Sequence, residues 1–185
     1  MIRQKLANLI LRLAGWKVVV TQPNIDKCIL CVAPHTSNWD FVMGKLCYTA
    51  VGRDSSFLIK NTWFFFPFDI FFKWIGGVPV DRSKRSNLTD KMAELFASKD
   101  KFQLAITPEG TRKRNPNWKK GFYQIAVKAN VPIMLLYLDY GKKEAGITGL
   151  FHPTGNEDAD IKEIKRFYKD VQACIPENFT VGNID

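Results

Sequence analysis

Apolar residues in this chain fall either in short unbroken runs or at helical spacing, and the two patterns take turns from one end to the other. The runs Val18 to Val20, Ile29 to Val32, Phe57 to Ile59, Val78 to Val80, Gln103 to Thr107, Val131 to Leu138 and Ile147 to His152 predict strands. Helical spacing covers Ile2 to Leu13, Ser37 to Val51, Asn87 to Ala97, Gly121 to Ala129 and Asp160 to Cys174. Gly15, Gly52 and Asn130 stand where three of these helices stop. On the last helix Ile161, Ile164, Tyr168 and Val171 share the inward face. Val131 to Leu138 is almost wholly apolar, as a strand is when both faces of its sheet are covered. The alternation predicts an α/β fold, and with no repeat or low-complexity linker to divide it, a single domain spans residues 1–185.

Two segments carry more apolar surface than this scheme requires. On Ile2 to Leu13, residues Ile2, Leu6, Leu9, Ile10 and Leu13 share one face, with Arg3, Lys5 and Arg12 mostly off it. Such a helix, within residues 1–14, fits packing on the core or lying in a lipid interface. From Trp63 to Gly76 there are six Phe and two Trp, with Asp69 and Lys73 the only charges. Two readings stay open here. One is a buried helix pair bent at Pro67. The other is a surface or groove for acyl chains or membrane, built from Trp63, Phe64, Phe65, Phe66, Phe68, Phe71, Phe72 and Trp74.

Composition narrows the class. A chain of 185 residues buries roughly 70% of the surface that its unfolded form exposes, so no disulfide scaffold is needed. Cys28 and Cys31 form a C-x-x-C pair, but on a strand that spacing points them to opposite faces, and they are expected as free thiols along with Cys47 and Cys174. Twenty-seven Lys and Arg against 18 Asp and Glu, a formal +9, predict an anionic partner. No apolar run is long enough to predict a spanning helix, and no secretory signal is expected.

Candidate chemistry gathers at the ends of the predicted strands. After Ile29 to Val32, Ala33 and Pro34 end the strand, and Ser37 with Asp40 has the form of a capping box. His35 falls on the loop between strand and helix, where Asp40 could lean back and orient its ring. A plain capping role for Asp40 fits the same residues. After Gln103 to Thr107 comes Pro108-Glu109-Gly110-Thr111-Arg112, a glycine-containing loop able to approach a phosphate closely, with an arginine for bidentate binding. Lys113, Arg114, Lys119 and Lys120 extend its positive field.

Four stretches stand in order: H-x-x-x-x-D at His35 and Asp40, G-G-V-P-V-D-R at Gly76 to Arg82, P-E-G-T-R at Pro108 to Arg112, and V-P-I at Val131 to Ile133. Together they resemble the glycerolipid acyltransferase family, over residues 33–138. The resemblance implies one α/β domain with a central mixed sheet flanked by helices. It also implies His35 as general base, Asp40 as its orienting partner, and a phosphate site formed by Arg82, Glu109, Gly110, Thr111 and Arg112, with Lys60 a further candidate. This chain departs from the family pattern after Val131-Pro132, where Met134, Leu135 and Leu136 stand in place of a frequent second proline.

The resemblance further implies transfer of a fatty acyl group from acyl-CoA or acyl-carrier protein to a lysophospholipid hydroxyl, chiefly that of 1-acyl-glycerol-3-phosphate. No cofactor and no metal are expected, and the protein is expected to sit peripherally on the cytoplasmic face of a membrane. The same chemistry on a lyso-ornithine lipid, another aminolipid or glycerol-3-phosphate is the alternative. A basic nucleic-acid-binding module is disfavoured, because the aromatics cluster apart from the Lys/Arg loops. A catalytically dead lipid-binding relative is disfavoured by the presence of both His35 and Asp40. The second histidine, His152, lies outside all four motifs and is expected to be replaceable.

Overall fold

Lys27–Ala33 (β2) is a seven-residue apolar strand buried on both faces, which only a central position in a covered sheet allows. In the computed structural model, which describes residues 2–81 and 88–185, it is joined by Lys17–Val20 (β1), Ser56–Lys60 (β3), Gly77–Val80 (β4), Phe102–Ile106 (β5), Ile133–Asp139 (β6) and Glu144–Phe151 (β7). Their order across the sheet is β1-β7-β6-β2-β5-β3-β4. Strands β6, β2, β5, β3 and β4 run parallel, and β7 runs against β6 with a register shift at Leu135/Leu136, so the sheet is mixed as expected.

Helices cover both faces. Ile2–Leu13 (α1) and Asn38–Ala50 (α2) lie on one side, where Ala7, Leu11, Cys47 and Ala50 pack with Leu138 and Ala145. Leu88–Ser98 (α4), Gly121–Ala129 (α5) and Glu157–Phe167 (α6) lie on the other, where Met92, Phe96, Phe122, Ile125 and Ile164 pack on Ile29, Cys31 and Leu104. The period-two alternation of β2 sends Cys31 to this larger cluster and Cys28 to the opposite face with Leu30 and Tyr48, so the C-x-x-C pair is divided across the sheet. All four cysteines are free thiols, and burial pushes the Cys28 thiol up to about 12.

Two expectations change in detail. The last helix ends at Phe167 and not at Cys174. Tyr168, fully buried, donates its hydroxyl to the carbonyl of Cys31 at 2.8 Å, which pins the chain to the central strand and turns it out of the helix. Residues 168–185 then run back across the molecule, with the Ile175 N–H donating to Thr36 Oγ1 at 3.1 Å and the Trp118 indole donating to the Thr180 carbonyl. Lys142 to Ala145, expected as a loop, contributes the start of β7 at Glu144.

The two apolar segments resolve towards exposure. In α1 it is Ala7 and Leu11 that are buried, with Asn8 donating to the Ala50 carbonyl at 2.7 Å, while Ile2, Leu6, Leu9, Ile10 and Leu13 face outward. Small and polar residues let α1 approach α2 closely, so its long aliphatic side chains point away. After β3 the chain makes one 3-10 turn, Asn61–Trp63, and a short helix, Phe68–Trp74 (α3), neither with a buried residue. The buried helix pair is therefore excluded: Phe66 is 80% and Trp74 62% exposed. Arg3 of α1 lies 4.3 Å over the Trp74 ring, which joins the two exposed apolar segments side by side. Among the described residues, no helix is long and apolar enough to cross a membrane.

Candidate active site

Because β2, β5, β3, β4 and β6 are parallel, their C-terminal ends open at one edge of the sheet, and the His35 loop and the Pro108 to Arg112 loop leave from that edge, while Val131 to Ile133 enters β6 at the other. This is where open α/β sheets place ligands. Adjacent strands β2 and β5 deliver the His35 loop and the Pro108 to Arg112 loop next to each other.

The first loop is built around the capping box. Ser37, in extended conformation, accepts the N–H of Trp39, and Asp40 Oδ2 accepts the N–H groups of Thr36 and Ser37 at 2.5 and 2.7 Å. The same oxygen lies 3.5 Å from His35 Nδ1. Capping and histidine orientation are thus compatible in one carboxylate. The contact is at the long limit of a hydrogen bond and is of the kind that shortens when the imidazole takes a proton. With Nδ1 turned to Asp40, Nε2 is the ring nitrogen left to act as base, and the side chain is 21% exposed. Among the described residues, no protein group hydrogen-bonds Nε2. Asp40 itself is 3% exposed. Burial alone would raise its carboxyl, but hydrogen bonds from His35, Ser37, Tyr140 and Thr36 outweigh that and hold it below the usual carboxylate range.

The second loop divides its expected tasks. Glu109, expected in the phosphate site, is turned inward, and its Oε1 accepts the backbone N–H of His35 at 2.7 Å. Its other oxygen is buried without a partner among the described residues, and burial pushes the carboxyl up to about 7. Gly110 spends its own N–H on the Thr107 carbonyl and adopts φ +66°, where a Cβ would press on the Lys119 side chain. It is there for the turn. Thr111 and Arg112 remain outward, and with Thr36, Ser37, Asn38, Lys113 and Asn178 they line a cavity of about 410 Å³. Arg112 donates to the Asn38 side chain and so ties this loop to the first turn of α2.

Lys60 is exposed at the end of β3, on the same sheet edge but separated from β2 by β5. Arg82 lies outside the described residues. His152 follows Phe151, which pairs with the first residue of β6, and so sits at the opposite end of the sheet from His35. Sequence reasoning missed Tyr140, which follows β6 and donates its hydroxyl to Asp40 Oδ1 at 2.8 Å, and Asn178, which the C-terminal segment brings to the cavity. Among the described residues, no cluster of His, Cys, Asp and Glu could hold a metal ion.

A base with a buried carboxylate partner, beside a cationic cavity and near an exposed apolar surface, suits transfer onto a hydroxyl of an anionic amphiphile. The sequence model of the Acyltransferase family matches residues 17–138, which contain His35, Asp40 and the Pro108 to Arg112 loop. The chain belongs to this family. It is an acyltransferase by this membership, and Tyr140 and Asn178 lie beyond the matched residues. Among solved structures, the 1-acyl-sn-glycerophosphate (LPA) acyltransferase PlsC from Thermotoga maritima shares its fold, with a TM-score of 0.60 at 18% identity over 92% of this chain and 79% of that one. No curated protein matches this acyltransferase in sequence.

Proposed function

We propose that this acyltransferase moves a fatty acyl group from acyl-CoA or acyl-carrier protein to the free hydroxyl of 1-acyl-glycerol-3-phosphate, giving phosphatidic acid at the cytoplasmic face of a membrane. The observation that carries the reading is the His35–Asp40 pair beside the Arg112-lined cavity. The acceptor hydroxyl oxygen attacks the thioester carbonyl carbon while His35 Nε2 takes its proton. Collapse of the tetrahedral intermediate breaks the carbon–sulfur bond, and the imidazolium returns the proton to the leaving thiolate. Asp40, kept ionised, stabilises the imidazolium between these steps. A positioned base of this kind is worth roughly 10²- to 10⁴-fold.

Arg112, with Lys113 and the start of α2 beside it, takes the acceptor phosphate. Lys60 and Arg82 are the further cations expected from the sequence. The outward stripe of α1 and the aromatic segment, joined through Arg3 and Trp74, form the face that rests peripherally on lipid, so that the acceptor reaches the cavity from the membrane surface. The solved relative is by name an acyltransferase for this acceptor. Purified protein incubated with labelled acyl-CoA and a panel of lysolipids tests the proposal. Label entering phosphatidic acid is the expected result. Label entering only an acceptor without phosphate, such as a lyso-ornithine lipid, would refute the assignment of Arg112.

A further inference from the structure

Asp40 presents two oxygens, and the helix cap uses only one. Oδ2 receives the amides of Thr36 and Ser37 and faces His35; Oδ1 takes no part in the cap. The hydroxyl that fills Oδ1 comes from 100 residues away. Tyr140 stands just past the C-terminal end of β6, the strand paired with β2 in register at Ala33 and Tyr137, which brings it over the start of α2. Its ring meets the edge of Trp16 at 5.0 Å and 86°, and its N–H donates to the Gln172 carbonyl at 2.9 Å. Phenylalanine would satisfy both of those contacts. Only the hydroxyl requires tyrosine; it donates to the carboxylate facing the histidine and also meets the Cys174 side chain.

We infer that Tyr140 is a positioning residue for acyl transfer, fixing the plane of the Asp40 carboxylate so that Oδ2 stays aimed at His35. With one oxygen anchored by two amides, the carboxylate can still rock about that anchor; a donor on the second oxygen removes this freedom. Burial, together with the hydrogen bond to Asp40, raises the Tyr140 phenol well above its ordinary value, so it stays protonated and donating at any working pH. The inference rests on the reading of His35 as the base.

Steady-state kinetics with acyl-CoA and 1-acyl-glycerol-3-phosphate on wild type, Tyr140→Phe, Asp40→Asn, the double variant and His35→Ala provide the test, with thermal unfolding of each. Tyr140→Phe is expected to lower kcat about tenfold, the scale of a hydrogen bond to a charged group, while both KM values stay near wild type and the protein remains folded at the assay temperature. In the Asp40→Asn background the same substitution is expected to cost less than about twofold, because a residue acting through Asp40 has nothing left to position. Losses that multiply in the double variant overturn the inference, as does a Tyr140→Phe kcat within about twofold of wild type. If Asp40→Asn fails to fold, Tyr140→Phe decides alone: a raised KM at unchanged kcat overturns it. Activity surviving in His35→Ala would remove the base, and this inference with it, whatever Tyr140→Phe shows; an inactive His35→Ala beside an unaffected Tyr140→Phe removes the inference alone.

Discussion

The loop after β2 and the segment after β3 leave the same end of the sheet and treat burial in opposite ways. The first gathers buried carboxyls: its own Asp40, and Glu109 from the neighbouring loop after β5, are both 3% exposed and tied to the backbone around His35. The second raises hydrophobic surface: Phe65, Phe66, Phe68, Phe71 and Trp74 stand in the open. The burial of Glu109 and the exposure of the aromatics each cost stability, whereas at Asp40 hydrogen bonds outweigh the cost of burial. A buried carboxylate loses hydration, and exposed aromatics forfeit the burial that folding would give them. The capping box explains the burial of Asp40, whereas the burial of Glu109 and the exposure of the aromatics fit the proposed site, in which a base would be oriented beside lipid.

Substitutions separate the two regions. Asp40→Ala leaves two buried amides and a phenol without their acceptor, and is expected to destabilise the fold by about 4 kcal/mol, measured by denaturant unfolding. A loss under about 1 kcal/mol would show the network to be dispensable.

Glu109→Gln is expected to stabilise the protein, in a pH-dependent way. Below the ordinary value of 4.5 the carboxyl is protonated whether folded or not; between 4.5 and about 7 the folded chain keeps a proton that the unfolded chain releases, so wild-type stability falls as pH rises through that window. At about 1.4 kcal/mol per pKa unit, the gain from Glu109→Gln approaches 3 kcal/mol at pH 8 and vanishes by about pH 4. Unfolding of both proteins across that range checks the sign; a gain that grows towards acid would contradict it.

Arg112→Ala acts on the cavity and not on the core, so stability should hardly move while KM for a phosphorylated acceptor rises about tenfold. An unchanged KM would detach the arginine from the phosphate. The mildest effect on folding is expected from the apolar segment: the pair Phe66→Ser and Ile70→Ser should shift stability by less than about 0.5 kcal/mol and yet weaken flotation with anionic liposomes. Flotation equal to wild type would remove this surface from the membrane.

Strand ends, the capping box and the order of motifs were legible in the sequence because each is set by neighbours within a few positions. Glu109 was not, because a loop read alone does not disclose that the His35 amide will sit above it. Tyr140 depends on β6 pairing beside β2, a long-range register that no local pattern announces. Core packing and outward exposure of the aliphatic stripe of α1 stayed open for a related reason: periodicity finds an apolar face but not what covers it, and here the Ala7 and Leu11 side packs instead. The end of α6 at Phe167 likewise turns on one tertiary contact, Tyr168 to the Cys31 carbonyl.

Whether the loop after β2 supplies the base for acyl transfer turns on His35→Ala. With labelled acyl-CoA and 1-acyl-glycerol-3-phosphate, the folded variant is expected to lose at least about 100-fold in kcat; more than a few per cent of wild-type activity retained would contradict the account.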